Sequence, residues 1–136
     1  MKLINKVGGI VIIVLLALSG SAKADVLLLV HGYQGSVYSW EHSGVSAVLQ
    51  QFGWKRAGVL LGTYQGLVPI PMQWQDADNK VINLQLNSEA PLSGQANVFT
   101  TAVRWVNDRY PSEKIIIAGH SLGGDVARLS LVRSGA

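Results

Sequence analysis

Two short segments carry residue types with chemical potential. Gly119-His120-Ser121-Leu122-Gly123 sets a serine between glycines at the point where an apolar run stops and a helical pattern starts. The run before it, Lys114-Ile115-Ile116-Ile117-Ala118, has the β-branched, apolar character of a strand buried on both faces. After it, Val126 and Leu129 fall at helical spacing from Leu122. A strand that turns into a helix this sharply needs near-absent side chains around the bend, which Gly119, Gly123 and Gly124 supply. The hydroxyl of Ser121 then stands clear of the sheet, available as a nucleophile. Composition alone would generate Gly-x-Ser-x-Gly in roughly one such chain in seven, so the weight lies in its context and in a second segment. That segment, His31-Gly32-Tyr33, closes another apolar run, Asp25-Val26-Leu27-Leu28-Leu29-Val30.

The elements that must position these segments read as follows. Residues 25–30 predict a central parallel strand feeding a Gly- and Ser-rich loop, 32–39. From Ser39 or Trp40 to about Phe52 the spacing predicts one helix, with Val45, Val48, Leu49 and Phe52 on a common face and Gly53 closing it. Val59-Leu60-Leu61 predicts a strand, and the alternation from Val81 to Leu86 predicts another with one face exposed. Between them, 65–80 holds Pro69, Pro71, Met72 and Trp74 without periodicity and reads as a loop. Within it, Asp76-Ala77-Asp78-Asn79 lacks the glycine and the distant bidentate glutamate of a calcium loop, so it reads as a solvated turn. Ser93 is the expected N-cap of a helix running through Arg109, stopped by Tyr110-Pro111. Strand, helix, strands, helix, strand, bend, helix is an α/β alternation, which implies a mainly parallel sheet with helices on both faces.

Residues 1–24 read as an export signal: Lys2 and Lys6 form the charged start, Val7 to Leu18 the apolar stretch, and Ala22-Lys23-Ala24 the cleavage site. The apolar stretch is 12 residues long, short of the roughly 20 that span a bilayer, so no stable membrane span is expected after cleavage. Asp25 would begin the mature chain, a periplasmic or secreted one. Residues 25–136 would form one small domain, and its eight basic residues match its eight acidic ones. The basic balance of the whole chain belongs to the leader, and no stripe of Lys and Arg points to nucleic acid. With no cysteine the domain has no disulfide framework and must rest on an apolar core.

Together, His31-Gly32-Tyr33 after the first strand and Gly119-His120-Ser121-Leu122-Gly123-Gly124 after the last resemble the α/β-hydrolase family, particularly its lipase and esterase branch. The resemblance covers essentially all of residues 25–136. It implies a serine hydrolase of carboxylic esters, acting on a small-molecule or lipid ester through an acyl-enzyme on Ser121. It also implies an oxyanion hole made by the backbone amides of Tyr33 and Leu122, with no metal or organic cofactor. In that family the histidine corresponding to His31 orders the oxyanion loop, and a histidine beside the nucleophile is common at the place of His120. Neither is therefore expected to be the general base, and His42 reads as a solvated helical residue. Tyr33, Tyr38 and Trp40 could line an acyl pocket, but packing of the first helix is the preferred expectation. Asp125 and Arg128 fit the first turns of the last helix without a functional role.

The family places its acid and its histidine after the nucleophile, whereas here 15 residues follow Ser121, with no histidine and only Asp125 as an acid. The expectation is the N-terminal part of an α/β-hydrolase domain lacking the C-terminal strands, with Ile115-Ile116-Ile117 as an apolar edge. As given, such a chain would be incomplete and inactive. The other readings are a non-catalytic hydrolase-fold remnant or binding protein, and an acyltransferase on the same fold.

Overall fold

The computed structural model describes residues 24–135, so the export-signal reading falls, apart from Ala24, outside the described residues. Five strands, β1 (Asp25–Val30), β2 (Lys55–Thr63), β3 (Gly66–Pro71), β4 (Asn79–Gln85) and β5 (Lys114–Gly119), form one sheet in the order β3-β2-β4-β1-β5. Four helices complete it: α1 (Ser39–His42), α2 (Val45–Gln51), α3 (Leu92–Arg109) and α4 (Leu122–Ser134). β1, β2, β4 and β5 run parallel, and β3 pairs antiparallel to β2.

The apolar runs explain this order. Every residue of β1 is buried, because its even positions face one core and its odd positions the other. On one side Val26, Leu28 and Val30 pack with Ile82 and Leu84 under Phe99, Ala102 and Val106 of α3 and Val126 and Ala127 of α4. On the other, Leu27, Leu29, Val81 and Trp54 meet Trp40 of α1 and Leu49 of α2. Each such side chain contributes roughly 1.5–3 kcal/mol on burial, which favours the strand with two apolar faces for the middle of the sheet. β5 pairs with β1 alone among the described residues, so Ile115, Ile116 and Ile117 stand at the expected edge, half-buried.

Several expectations are corrected. The helix expected over 39–52 is two helices, broken at Ser43-Gly44, where Gly44 takes φ 83° and the chain turns before α2. Val48 and Phe52 consequently lie exposed, and Leu49 carries the packing. The loop expected over 65–80 contains β3: Pro69 and Pro71 suit an edge strand, where a ladder donor is dispensable, and they hide the strand pattern. β4 is buried on both faces, since it lies between β2 and β1, and even Lys80 and Asn83 are covered. Lys80 is satisfied by both carboxylate oxygens of Glu113, at 2.7 and 2.5 Å. Ser93 is not the N-cap of α3; Pro91 takes that place, its carbonyl accepting from Gly94 and Gln95.

Candidate active site

β1 and β5 end side by side, Val30 opposite Gly119, and both chemical segments leave the sheet from there. After β5 the chain reverses into α4 within two residues. Ser121 sits at the bend with φ 53° and ψ −126°, a sparsely populated conformation for a residue with a side chain. The bend is held by His120 N–H donating to Val30 O at 3.0 Å, Gly123 N–H to His120 O at 2.9 Å and Gly124 N–H to Ser121 O at 2.9 Å. Two glycines make it passable. A Cβ at Gly119 would lie 2.6 Å from Gly124 N, and one at Gly123 would lie 2.5 Å from His31 O and 2.6 Å from Val30 O. Gly124, expected to share this role, does not, because the nearest atom to its would-be Cβ is 3.7 Å away. Ser121 is exposed, and Leu122, the first residue of α4, has an N–H with no hydrogen-bond partner among the described residues.

The second segment folds over this bend. A Cβ at Gly32 would come within 3.1 Å of both Ser121 Cβ and His120 Nδ1, so the 32–38 loop lies against the serine. Its amides can be counted: Gln34 donates to Ser88 Oγ, Gly35 to Gly32 O, Ser36 to Ser39 Oγ, Val37 to Gln85 Oε1 and Tyr38 to Ser36 Oγ. From Tyr33 to Tyr38 the Tyr33 N–H is the one without a partner among the described residues, and the Gly32 N–H before it has none either.

The three histidines have different surroundings. His31 is buried, and Leu86 N–H donates to its Nε2 at 2.9 Å. An N–H can only donate, so Nε2 carries the lone pair and Nδ1 carries the proton, donated to Gly32 O at 2.8 Å. This ring ties the start of the loop to the β4–α3 connection and has no free lone pair with which to serve as a base. His120 is exposed and meets Trp40 edge-on at 6.5 Å. His42 is exposed on α1, stacked with Tyr38. Asp125 is exposed in the first turn of α4.

Beside the bend, a cavity of about 290 Å³ is bounded by Gly32, Tyr33, Trp40, Val45 and His120. Trp40 both lines it and packs on the Leu27, Leu29 and Trp54 cluster. The packing role expected of Tyr33 and Tyr38 is not found: they are 58% and 64% exposed, because both lie in the loop before α1 and not on a helix that faces the sheet. α1 is anchored instead by Glu41, whose carboxylate accepts from Arg56 Nε at 2.6 Å and Nη2 at 2.7 Å. These bonds hold the Glu41 carboxyl below its ordinary value and raise the Arg56 guanidinium. Gln85, Ser88 and Gln34 are site components that sequence reasoning missed. A polar side chain closing a central parallel strand, as Gln85 does, was the available signal.

Among the described residues, no group of three or more His, Cys, Asp or Glu is placed to hold a metal, and no helix is long and apolar enough to cross a membrane. No protein-family model matches the chain, and no curated protein matches it. Solved structures do. The product of gene lin2722 from Listeria innocua is similar at a TM-score of 0.66 and 17% identity, over 79% of this chain and 44% of that one. A protein from Lactobacillus plantarum WCFS1, provisionally designated a cell surface hydrolase, is similar at 0.60 and 19% identity, over 83% of this chain and 47% of that one. This chain thus spans less than half the length of either. Likeness at this identity speaks to architecture, and with the sheet order and the bend at Ser121 it gives the chain its place: a partial α/β-hydrolase fold.

Proposed function

We propose that the protein is a serine hydrolase of carboxylic esters, with Ser121 as nucleophile and the N–H groups of Tyr33 and Leu122 as the oxyanion donors. The observation that supports this reading is an exposed serine at φ 53° beside the 32–38 loop, with the Tyr33 and Leu122 amides without partners among the described residues. In the reaction Ser121 Oγ bonds to the ester carbonyl carbon as its proton passes to a general base, and the carbonyl oxygen takes the negative charge. The two N–H groups are aimed in advance at that oxygen, and the positive end of the α4 dipole adds a smaller contribution of the same sign. Collapse breaks the carbon–alkoxy bond, and the alcohol leaves with the proton. Water then adds to the acyl-enzyme, the bond to Oγ breaks, and the carboxylic acid departs with the serine restored. In this reading the base and its acid partner come from residues outside 24–135. Its support is the engagement of His31 and the placement of His42 and His120 away from any bond to Ser121.

The substrate class is a small-molecule or lipid ester. The protein is read as exported, periplasmic or secreted, on the character of residues 1–24 and the cell-surface designation of the Lactobacillus protein. The test is a fluorophosphonate probe applied to the protein produced from its own gene with its downstream sequence intact, followed by peptide mapping. The label is expected on Ser121 and absent from Ser121→Ala. No label on the natural protein would remove the enzyme and leave a binding protein on this fold. Label with acyl transfer to an added alcohol, in place of hydrolysis, would indicate an acyltransferase.

A further inference from the structure

We infer that Gln85 and Ser88 are positioning residues that clamp the 32–38 loop so that the unengaged amide of Tyr33 faces the serine; their catalytic consequence rests on the hydrolase reading above. The loop leaves β1 with little regular structure of its own and contains Gln34 at φ 54°, an unfavourable conformation for a residue with a side chain. Something must hold it. Two of its amides are bound by side chains more than 45 residues away in sequence, both at the exit of β4: Gln34 N–H by Ser88 Oγ at 2.9 Å and Val37 N–H by Gln85 Oε1 at 2.9 Å. The first of these bonds falls on the strained residue itself.

The orientation of the Gln85 amide is fixed by its partners. Val37 N–H requires an acceptor, so Oε1 faces it, and Nε2 is left to donate to Leu86 O at 3.1 Å and towards His31 Nε2 at 3.2 Å. That second contact agrees with the tautomer set independently by Leu86 N–H, in which Nε2 is the acceptor. One side chain therefore joins the buried histidine at the loop's start to the amide near its end. Both bonds leave the Tyr33 N–H untouched, since each amide on the clamped side of the loop has a partner of its own. A clamp of this kind keeps a donor aimed before substrate arrives, which is the condition for an effective oxyanion hole.

The test uses four variants of the natural protein. Gln85→Met keeps the length and removes the hydrogen bonds, Gln85→Glu restores the acceptor for Val37, Ser88→Ala removes the hydroxyl, and Ser88→Thr restores it. Hydrogen exchange at the individual amides and the rate of fluorophosphonate labelling at Ser121 are read side by side. Expected are exchange about tenfold faster or more at Val37 in Gln85→Met and at Gln34 in Ser88→Ala. Labelling should slow by roughly 10- to 100-fold, with both effects largely reversed in Ser88→Thr and slow exchange at Val37 regained in Gln85→Glu. Unchanged exchange at both amides would overturn the clamp. Faster exchange with labelling at the wild-type rate would overturn the positioning role. If the wild type takes no label while exchange responds as stated, the hydrolase reading fails and the clamp stands. Should Gln85→Met not fold, Ser88→Ala against Ser88→Thr decides the same questions.

Discussion

Gly123→Ala and Gly124→Ala differ by one position in the same helical turn, yet the structure assigns them opposite consequences. A methyl group at Gly123 would lie 2.5 Å from His31 O and 2.6 Å from Val30 O, both backbone atoms of β1 and its exit. Carbon–oxygen contacts settle near 3.3–3.6 Å, so the start of α4 must retreat from β1 by roughly 0.8–1.1 Å. Overpacking against backbone costs about 1–3 kcal/mol. The same retreat carries Ser121 and Leu122 away from the 32–38 loop, and a displacement near 1 Å can cost about 100-fold in rate. At Gly124 the nearest atom is 3.7 Å away, an ordinary contact, and alanine gains about 0.5–1 kcal/mol in a helix. The assay pairs urea unfolding with the rate of fluorophosphonate labelling at Ser121. Gly123→Ala should lose stability and most of its labelling, while Gly124→Ala keeps its labelling and equals or exceeds the wild type in stability. Equal behaviour of the two variants would refute the close approach of α4 to β1 as the feature that sets the serine.

Further outcomes follow from the same geometry. Ser121→Gly relieves the φ 53° conformation and should raise the urea midpoint by the equivalent of about 1 kcal/mol while abolishing labelling; unchanged or lower stability would show that the bend is unstrained. Glu41, held below its ordinary value of 4.5 by hydrogen bonds from Arg56, contributes stability that is present above that value and lost as pH falls through its folded one. Glu41→Gln should therefore be less stable by about 0.5–1 kcal/mol at neutral pH, discounted for its partial exposure. That gap should close on acidification, as followed by denaturation at a series of pH values. Glu113→Ala leaves Lys80, 2% exposed, buried without its partner and should cost about 3–5 kcal/mol, whereas Lys80→Met with Glu113→Leu recovers most of it. Equal loss in both, measured by urea unfolding, would refute an uncompensated charge as the cause.

Much of this architecture was legible because its elements repeat a period and end on punctuating residues. The β1 and β5 runs, the α3 segment stopped by Tyr110-Pro111 and the serine flanked by glycines each state their conformation locally. What was not legible depends on partners remote in sequence. β3 is hidden by Pro69 and Pro71, whose tolerance follows only once β3 is known to lie at the sheet edge. The burial of both faces of β4 follows from its place between β2 and β1, which no alternation of its own residues discloses. Gly44 breaks the helix that the spacing of Val45, Val48, Leu49 and Phe52 continues from Ser39, because a left-handed turn is available there. In the site, Ser121 and the Gly32 turn announce themselves through composition. Gln85 and Ser88 do not, since their role exists only where the exit of β4 meets the loop after β1.

The most direct measurement is a crystal structure of the natural protein after phosphonylation. The account predicts phosphorus bonded to Ser121 Oγ, with the phosphonyl oxygen about 2.7–3.1 Å from both the Tyr33 and the Leu122 nitrogens. An adduct on another residue, or a phosphonyl oxygen turned away from those two amides, would contradict it.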